Sequence, residues 1–495
     1  MNKLLVINIV GLSRKLIGKS TPNLLKLIEQ KSSTHQLRAL APTFPAVTCS
    51  AQATLLTGLS PSEHGIVGNG WYFKDLSEIM FWKQSNALVQ GESLWTSLKK
   101  ISPKIKTANT FWWYNMYCQA DVSVTPRPLY PADGRKIPDC YTHPLSLRDK
   151  LTKTLGLFPL FKFWGPMTSI VASRWIANAS EQIQKDFDPD FHAVYLPHLD
   201  YCLQKHGPNS DKIAKDLKEV DEIIGWYLTN PVFKNHQIVF LSEYGISDVA
   251  KSISLNRVLR TAGLLVIKSE MGRDTLDAGA SQAFAVADHQ VAHVYVNDKS
   301  NLIVVKKLLQ QTPGVLKVLD KSEQEQLKIN HDRSGDLVCI ANSGYWFDYY
   351  FWFDDKKAPD YARTVDIHRK PGYDPVELFI NPKLMLPQLK IALKLLWRKL
   401  GGRALLDVIG FDSTLVKGSH GAIPESLDDY PVFIYPKELA TGVHLKMSVK
   451  NSAADEVLSP LGFKSFVHDY FSSIDLTVKP KTSLSASSQG LQEYR

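Results

Sequence analysis

A mostly parallel β-sheet covered by helices on both faces, with an inserted lobe, is the α/β fold this sequence predicts. Two observations carry it. Short apolar runs that read as buried strands recur along the chain, and segments with helical periodicity separate them. The first run, 4–10, stops at Gly11 as a buried parallel strand would. Thr21 and Pro22 then start a helix, with Thr21 as cap and Pro22 at the first helical position. Residues 50–57 are small and apolar and read as a helix behind Thr48, one whose N-terminal amides would face an anion there. Strands follow at 192–196 and 236–242, with helical periodicity over 211–227 between them. Residues 293–296 and 336–340 read as two more strands. In such a sheet the functional loops lie at the carboxyl ends of the strands.

The composition fills in the organisation. With 495 residues and 44 % hydrophobic content the chain can bury a large core. Residues 1–478 read as a single α/β domain, with the aromatic and proline-rich stretch at about 72–175 as the lobe. The tail 479–495, rich in Ser, Lys and Gln, reads as disordered. Residues 383–403 form a basic amphipathic helix, read first as a solvated surface helix and second as a membrane contact. The net charge of +9 is scattered, with no basic stripe interleaved with aromatics, so nucleic-acid binding is not expected. Attraction for an anionic small molecule is compatible with it. Five cysteines, odd in number and widely spaced, point to free thiols in a reducing, cytoplasmic setting. The N-terminal apolar run is short and lacks a clean cleavage site, so it reads as a first strand rather than a leader. No apolar run is long enough to span a bilayer.

The richest stretch is Phe44-Pro45-Ala46-Val47-Thr48-Cys49 together with Leu56-Thr57-Gly58-Leu59-Ser60-Pro61-Ser62-Glu63-His64-Gly65-Ile66-Val67-Gly68-Asn69. It resembles the nucleophile segment of the nucleotide pyrophosphatase/phosphodiesterase branch of the alkaline phosphatase superfamily. The resemblance implies an alkaline-phosphatase-like sheet and a hydrolase acting on a phosphodiester or related phosphorylated metabolite. It places Thr48 on the attacking threonine and Asn69 on the asparagine that steadies a phosphoryl oxygen. It also implies two zinc ions, one holding the threonine as alkoxide and one clamping the substrate oxygen. A covalent phospho-threonine would form and then be hydrolysed.

The family's metal-ligand positions are only partly kept. The aspartate that closes the first strand in relatives is Val10 here, and Asn8, the nearest alternative, is a poor zinc ligand. In the segment 196–208, Asp200 and His206-Gly207-Pro208 match, but the ligand histidine is Gln204; His206 is the nearest substitute, two residues away. Relatives have an Asp-His pair where this chain has Glu243-Tyr244. Gly418-Ser419-His420-Gly421 keeps the last histidine. The implied metal residues are therefore Asp200, Glu243 and His420. The expectation is at most one divalent ion, zinc among the candidates, near Asp200 and His420, rather than two. Cys49 stands where nucleotide-cleaving relatives often place a base-stacking aromatic.

Two other polar segments bear on the chemistry. His289 lies in 287–293, and Asp366 and His368 lie in 364–374 with Arg369 and Lys370. They could supply new ligands, an acid–base pair or a phosphate clamp. The plainer account is hydrogen-bonded strand-edge histidines and a structural loop. The aromatic run 111–117 is either a ligand slot or core. Three functions stay open: a threonine-based hydrolase, a catalytically altered member that binds a phosphorylated metabolite or a pathway partner, and a metal-independent enzyme using Asp and His residues.

Overall fold

The computed structural model of the protein describes residues 3–29, 33–132, 135–447 and 457–477. The tail beginning at 479 lies outside them. A nine-stranded sheet runs through the centre in the order Val457–Leu458, His35–Leu40, Val432–Pro436, His236–Leu241, Lys3–Ile9, Phe191–Leu196, Thr107–Thr110, Val122–Pro126, Cys140–His143. Lys3–Ile9 is parallel to both neighbours, and the pairs further out towards Val122–Pro126 are parallel as well. Val432–Pro436 and Cys140–His143 are the antiparallel exceptions. The first strand is buried on both faces from Leu4 onward, which is why its sequence is a continuous apolar run rather than an alternating one.

Residues 72–175, the stretch expected as an inserted lobe, supply three strands to this sheet. The strands read at 293–296 and 336–340 are present as Val291–Val296 and Leu337–Ala341, but they do not belong to the parallel sheet. They pair antiparallel with each other in a separate four-stranded sheet with Ala283–Asp288 and Val315–Leu319. The reason is local. His289 takes a left-handed conformation, φ 63°, which folds Ala283–Asp288 back on Val291–Val296 as a hairpin and so commits both strands to antiparallel pairing.

The two larger sheets pack on separate apolar clusters. One cluster surrounds the central sheet, with Leu4, Val6, Val194, Phe240 and Ile434 fully buried. The other lies around the small sheet, with Phe284, Val294 and Leu337. The segment after Gly418–Ser419 joins them. The Ala46 N–H donates to the Gly421 carbonyl at 2.9 Å and the Gln290 N–H to the His420 carbonyl at 2.8 Å. No helix among the described residues is long and apolar enough to cross a membrane.

Candidate functional site

The carboxyl ends of the central strands bring Asp200 and Glu243 beside Thr48 and His420. Lys3–Ile9 ends at Val10 and turns at Gly11, whose φ of +80° suits glycine and whose missing Cβ leaves room for Leu203. Phe191–Leu196 leads into the helix His198–His206, which carries Asp200 in its first turn. His236–Leu241 leads to Glu243 and Tyr244. Thr48 is the first residue of the helix Thr48–Thr57, every residue of which is buried. His420 arrives from the segment that links the two cores.

A chain of hydrogen bonds runs from Thr48 through Tyr244, Asp200 and Gln204 to Tyr373. Thr48 Oγ1 lies 3.0 Å from the Tyr244 hydroxyl, and that hydroxyl lies 3.3 Å from Asp200 Oδ1. Asp200 Oδ2 accepts from Gln204 Nε2 at 2.8 Å, while Gln204 Oε1 accepts from the Tyr373 hydroxyl at 2.8 Å. His420 Nε2 sits 3.6 Å from Asp200 Oδ1, and His420 Nδ1 pairs with the Ala46 carbonyl at 2.7 Å. Burial pushes the His420 pKa well below its ordinary value, so the Asp200–His420 approach is not an ion pair. Burial also pushes Asp200 up to about 7, against hydrogen bonds from Gln204 and Tyr244 that lower it.

Glu243 is held by amides. Its Oε2 accepts from Asn8 Nδ2 at 2.7 Å and Gln52 Nε2 at 2.8 Å. Gln52 Oε1 in turn accepts the Trp113 N–H at 2.7 Å, which orients the amide so that its NH2 faces the carboxylate. Burial raises Glu243 to about 8, opposed by the two amide bonds. Asn69 closes the other side. Its Oδ1 accepts the Cys49 N–H at 3.0 Å, and its backbone and side-chain nitrogens donate to the two oxygens of Asp288 at 2.7 and 3.0 Å. Asp288 Oδ1 also lies 2.8 Å from His289 Nδ1. Burial lifts Asp288 to about 6 and lowers His289 well below its usual range.

Four rings stack across the site. Tyr244 and His420 have centroids 3.7 Å apart and nearly parallel planes, His420 and His289 are 3.7 Å apart, and His289 and Tyr373 are 3.6 Å apart. The in-plane Nε2 atoms of His289 and His420 are buried without partners, as are Asn8 Oδ1 and Glu243 Oε1.

Two metal ions do not fit this donor set. On the threonine side, Val10 offers no ligand, the Tyr244 hydroxyl bonds Thr48 directly, and two oriented NH2 groups occupy Glu243 Oε2, leaving Oε1 as the one unpartnered oxygen there. On the other side, Asp200 and His420 stand at a separation suited to a shared ion and His420 Nε2 is orphaned. Gln204, however, turns its NH2 toward Asp200. That pair fits two corners of a single-ion site and lacks the third protein ligand of a catalytic zinc. Among the described residues, the one group of three acidic, His or Cys ligands with atoms all within 4.8 Å of one another is His198, Asp216 and Glu219, between the start of the helix His198–His206 and the helix Ala214–Thr229.

Of the remaining sequence candidates, His289 joins the site and Gln204 supports Asp200. His206 ends the helix that carries Asp200 and is only half-buried, so it does not replace the missing ligand. Asp366 and His368 stand apart from the stack. The Asp366 N–H donates to Glu377 at 2.9 Å and His368 Nδ1 faces the Phe81 carbonyl. Lys370 is not a phosphate clamp: it is fully buried between Asp374 and Glu377, 2.7 Å from each. The aromatic run 111–117 packs as core through Phe111 and Trp112, and Trp113 covers the site through its backbone. Gln52 was missed. Its signal was a long polar side chain on a helix otherwise built of small and apolar residues.

Comparison with known proteins identifies the family and the fold. The profile of the type I phosphodiesterase / nucleotide pyrophosphatase family matches residues 4–374. An uncharacterized pyrophosphatase/phosphodiesterase of Schizosaccharomyces pombe is 25 % identical over 270 residues, covering 52 % of this chain and 47 % of that protein. Human ectonucleotide pyrophosphatase/phosphodiesterase family member 1 is 23 % identical over 252 residues, 49 % of this chain and 23 % of its own length. The alignments thus span about half or less of these relatives. In fold, murine ectonucleotide pyrophosphatase/phosphodiesterase 5 in complex with AMP superposes with a TM-score of 0.54 over 94 % of each chain at 15 % identity. Phosphonoacetate hydrolase from Sinorhizobium meliloti in complex with phosphonoformate does so with a TM-score of 0.54 over 94 % of this chain and 95 % of its own, at 12 % identity. The chain belongs to the type I phosphodiesterase / nucleotide pyrophosphatase family.

Proposed function

We propose that this chain is a hydrolase of a small phosphodiester or related phosphorylated anion, with Thr48 as nucleophile and a side-chain proton relay in place of the threonine-side metal. The observation that carries the reading is the unbroken path from Thr48 Oγ1 through the Tyr244 hydroxyl to Asp200 Oδ1, with steps of 3.0 and 3.3 Å. The buried carboxyls Asp200, Glu243 and Asp288 are raised to about 7, 8 and 6, so they are partly neutral near pH 7 and repel an anion less. The start of the helix Thr48–Thr57 adds a favourable dipole toward a phosphoryl group.

In the first step Thr48 Oγ1 bonds to phosphorus and the ester bond to the departing alcohol breaks. The threonine proton passes to the Tyr244 oxygen while the Tyr244 proton moves to Asp200, and the departing oxygen takes a proton from water, which becomes the hydroxide of the second step. In the second step that hydroxide, its O–H facing His289 Nε2, which Asp288 orients through Nδ1, attacks the phospho-threonine. Thr48 leaves and recovers its proton from Asp200 by the same path. Asp200 and His420 would hold a single divalent ion if one binds, and such an ion supplies polarisation of a phosphoryl oxygen.

The five unpaired cysteines support a reducing, cytoplasmic location as part of the same proposal. A second reading, a catalytically altered member that binds a phosphorylated metabolite without cleaving it, is favoured by one observation: the four-ring stack and the amide-bound Glu243 leave the site closely packed. Turnover of a nitrophenyl phosphodiester, compared between the wild type and Thr48→Ala, separates the two. Turnover lost in the variant supports the hydrolase; none in either supports the binder; equal turnover in both removes Thr48 from the mechanism.

A further inference from the structure

The helix Pro387–Lys399 is turned inside out relative to an ordinary surface helix, and none of its residues is buried. The side facing the protein is largely polar. Lys390 and Lys394 reach Asp407, Lys394 Nζ donates to the Leu405 carbonyl at 2.6 Å, and Arg398 Nε donates to the Ala404 carbonyl at 2.7 Å. Only Ile391 packs from this side onto the apolar cluster of Trp346, Val376 and Ile409. The outward side carries Leu386, Leu389, Leu393, Leu396, Trp397 and Leu400, each more than half exposed and Leu400 74 % exposed. Their spacing of three and four places them in one stripe.

The charge around this stripe has one sign. No Asp or Glu occurs between Lys383 and Leu406. Lys383, Lys399 and Arg403 are exposed and make no ion pair among the described residues, beside apolar side chains with no partner of their own. We infer that this helix docks the protein on an anionic lipid bilayer, lying in the interface plane with the leucines and Trp397 in the acyl boundary and the free cations at the headgroups. A second copy of the chain is a worse occupant, because it would bring a like-charged face against this one. The segment is tied back to the core through Asn381 N–H to the Val408 carbonyl at 2.8 Å and Ile409 N–H to the Arg363 carbonyl at 3.0 Å. Docking would therefore hold the domain at a membrane surface without any spanning element. The inference does not depend on the proposed reaction.

Co-sedimentation of the full chain with vesicles tests it, using phosphatidylcholine alone and phosphatidylcholine mixed with phosphatidylglycerol. Binding to the mixed vesicles is expected, weakening with salt. Leu393→Gln/Trp397→Gln should reduce it at least tenfold, and Lys399→Gln/Arg403→Gln roughly fivefold per cation removed. Both variants change outward side chains, so unaltered circular dichroism and melting should accompany the loss. Absence of binding by the wild type overturns the inference, as does binding to the mixed vesicles that neither variant weakens. A concentration-dependent dimer that Leu393→Gln/Trp397→Gln makes monomeric, without vesicle binding, assigns the stripe to a second copy and also overturns it.

Discussion

The Tyr244 hydroxyl stands 3.0 Å from Thr48 Oγ1, where the family resemblance implies a metal-binding histidine beside the attacking threonine. The position the resemblance gives to a ligand holds a hydrogen-bond partner, and in the proposed reaction the Thr48 proton passes through a phenol. Tyr244→Phe removes the relay oxygen and keeps the ring stacked on His420. We expect turnover to fall by roughly 10²–10⁴, with a stability cost of about 1–3 kcal/mol for each buried group left unpaired at Thr48 and Asp200. Thr48→Ala should abolish turnover. Steady-state assays on a nitrophenyl phosphodiester check both, and a Tyr244→Phe enzyme of wild-type rate would remove the relay.

Metal content offers an independent check. Elemental analysis of the purified protein is expected to give fewer than two divalent ions per chain. Val10→Asp alone places a carboxylate in a fully buried strand end without a partner and should destabilise the fold. With Gln204→His and Tyr244→His added, zinc should bind more tightly by calorimetry and restore the melting temperature, because an ion that binds only the folded state stabilises it. Two stoichiometric zincs in the wild type would show that the amide-bound Glu243 rearranges.

The amide pair on Glu243 sets a stability expectation. Gln52→Ala withdraws one of its two donors and leaves the Trp113 N–H without its acceptor. The cost should be about 1–3 kcal/mol for each buried group left unsatisfied, measured by urea unfolding. Glu243→Gln, which keeps shape and one acceptor, should cost less than Gln52→Ala. The reverse order would mean that Glu243 is held as a full anion by something other than these amides.

His64 provides an acid-side signature away from the site. Its Nδ1 accepts the Ile66 N–H at 3.0 Å and its Nε2 pairs with Thr54 Oγ1 at 3.0 Å. Burial first, and the neighbouring His331 second, lower its pKa to about 3 against an ordinary 6.5. The folded state therefore stays neutral where the unfolded state takes a proton. Its contribution is fully present above pH 6.5 and is lost progressively as the pH falls toward 3. In unfolding measured between pH 7 and 4, His64→Gln should show a shallower acid loss, by about 1.4 kcal/mol per pH unit below 6. Parallel curves for variant and wild type would show that His64 is protonated in the fold.

The framework was legible where local pattern and fold agree. The run 4–10, the cap at Thr21-Pro22 and the small residues behind Thr48 each dictate a strand or helix by themselves, whereas Asp200, Glu243 and His420 are legible only through the family resemblance. What could not be read was how side chains pair across long sequence separations. Nothing near Gln52 marks Glu243, 191 residues on, as its acceptor. Nothing in 364–374 shows that Lys370 is enclosed by Asp374 and Glu377 while Tyr373 enters the site. The antiparallel pairing of 291–296 was hidden for another reason: it depends on the left-handed backbone of His289, a residue type that turns signal weakly.

The column of Tyr244, His420, His289 and Tyr373 is built from both cores, for Tyr244 follows a central strand and His289 sits at the tip of the small sheet's hairpin. It works as a rivet between two plates. A guest that pushes between any two of these rings must loosen the rivet, giving up roughly 0.5–1.5 kcal/mol per ring contact, and in doing so lets one plate tilt on the other. Occupancy by an anion would then be felt as a change in how firmly the two cores are clamped, and hydrogen exchange along Val291–Val296 would register it.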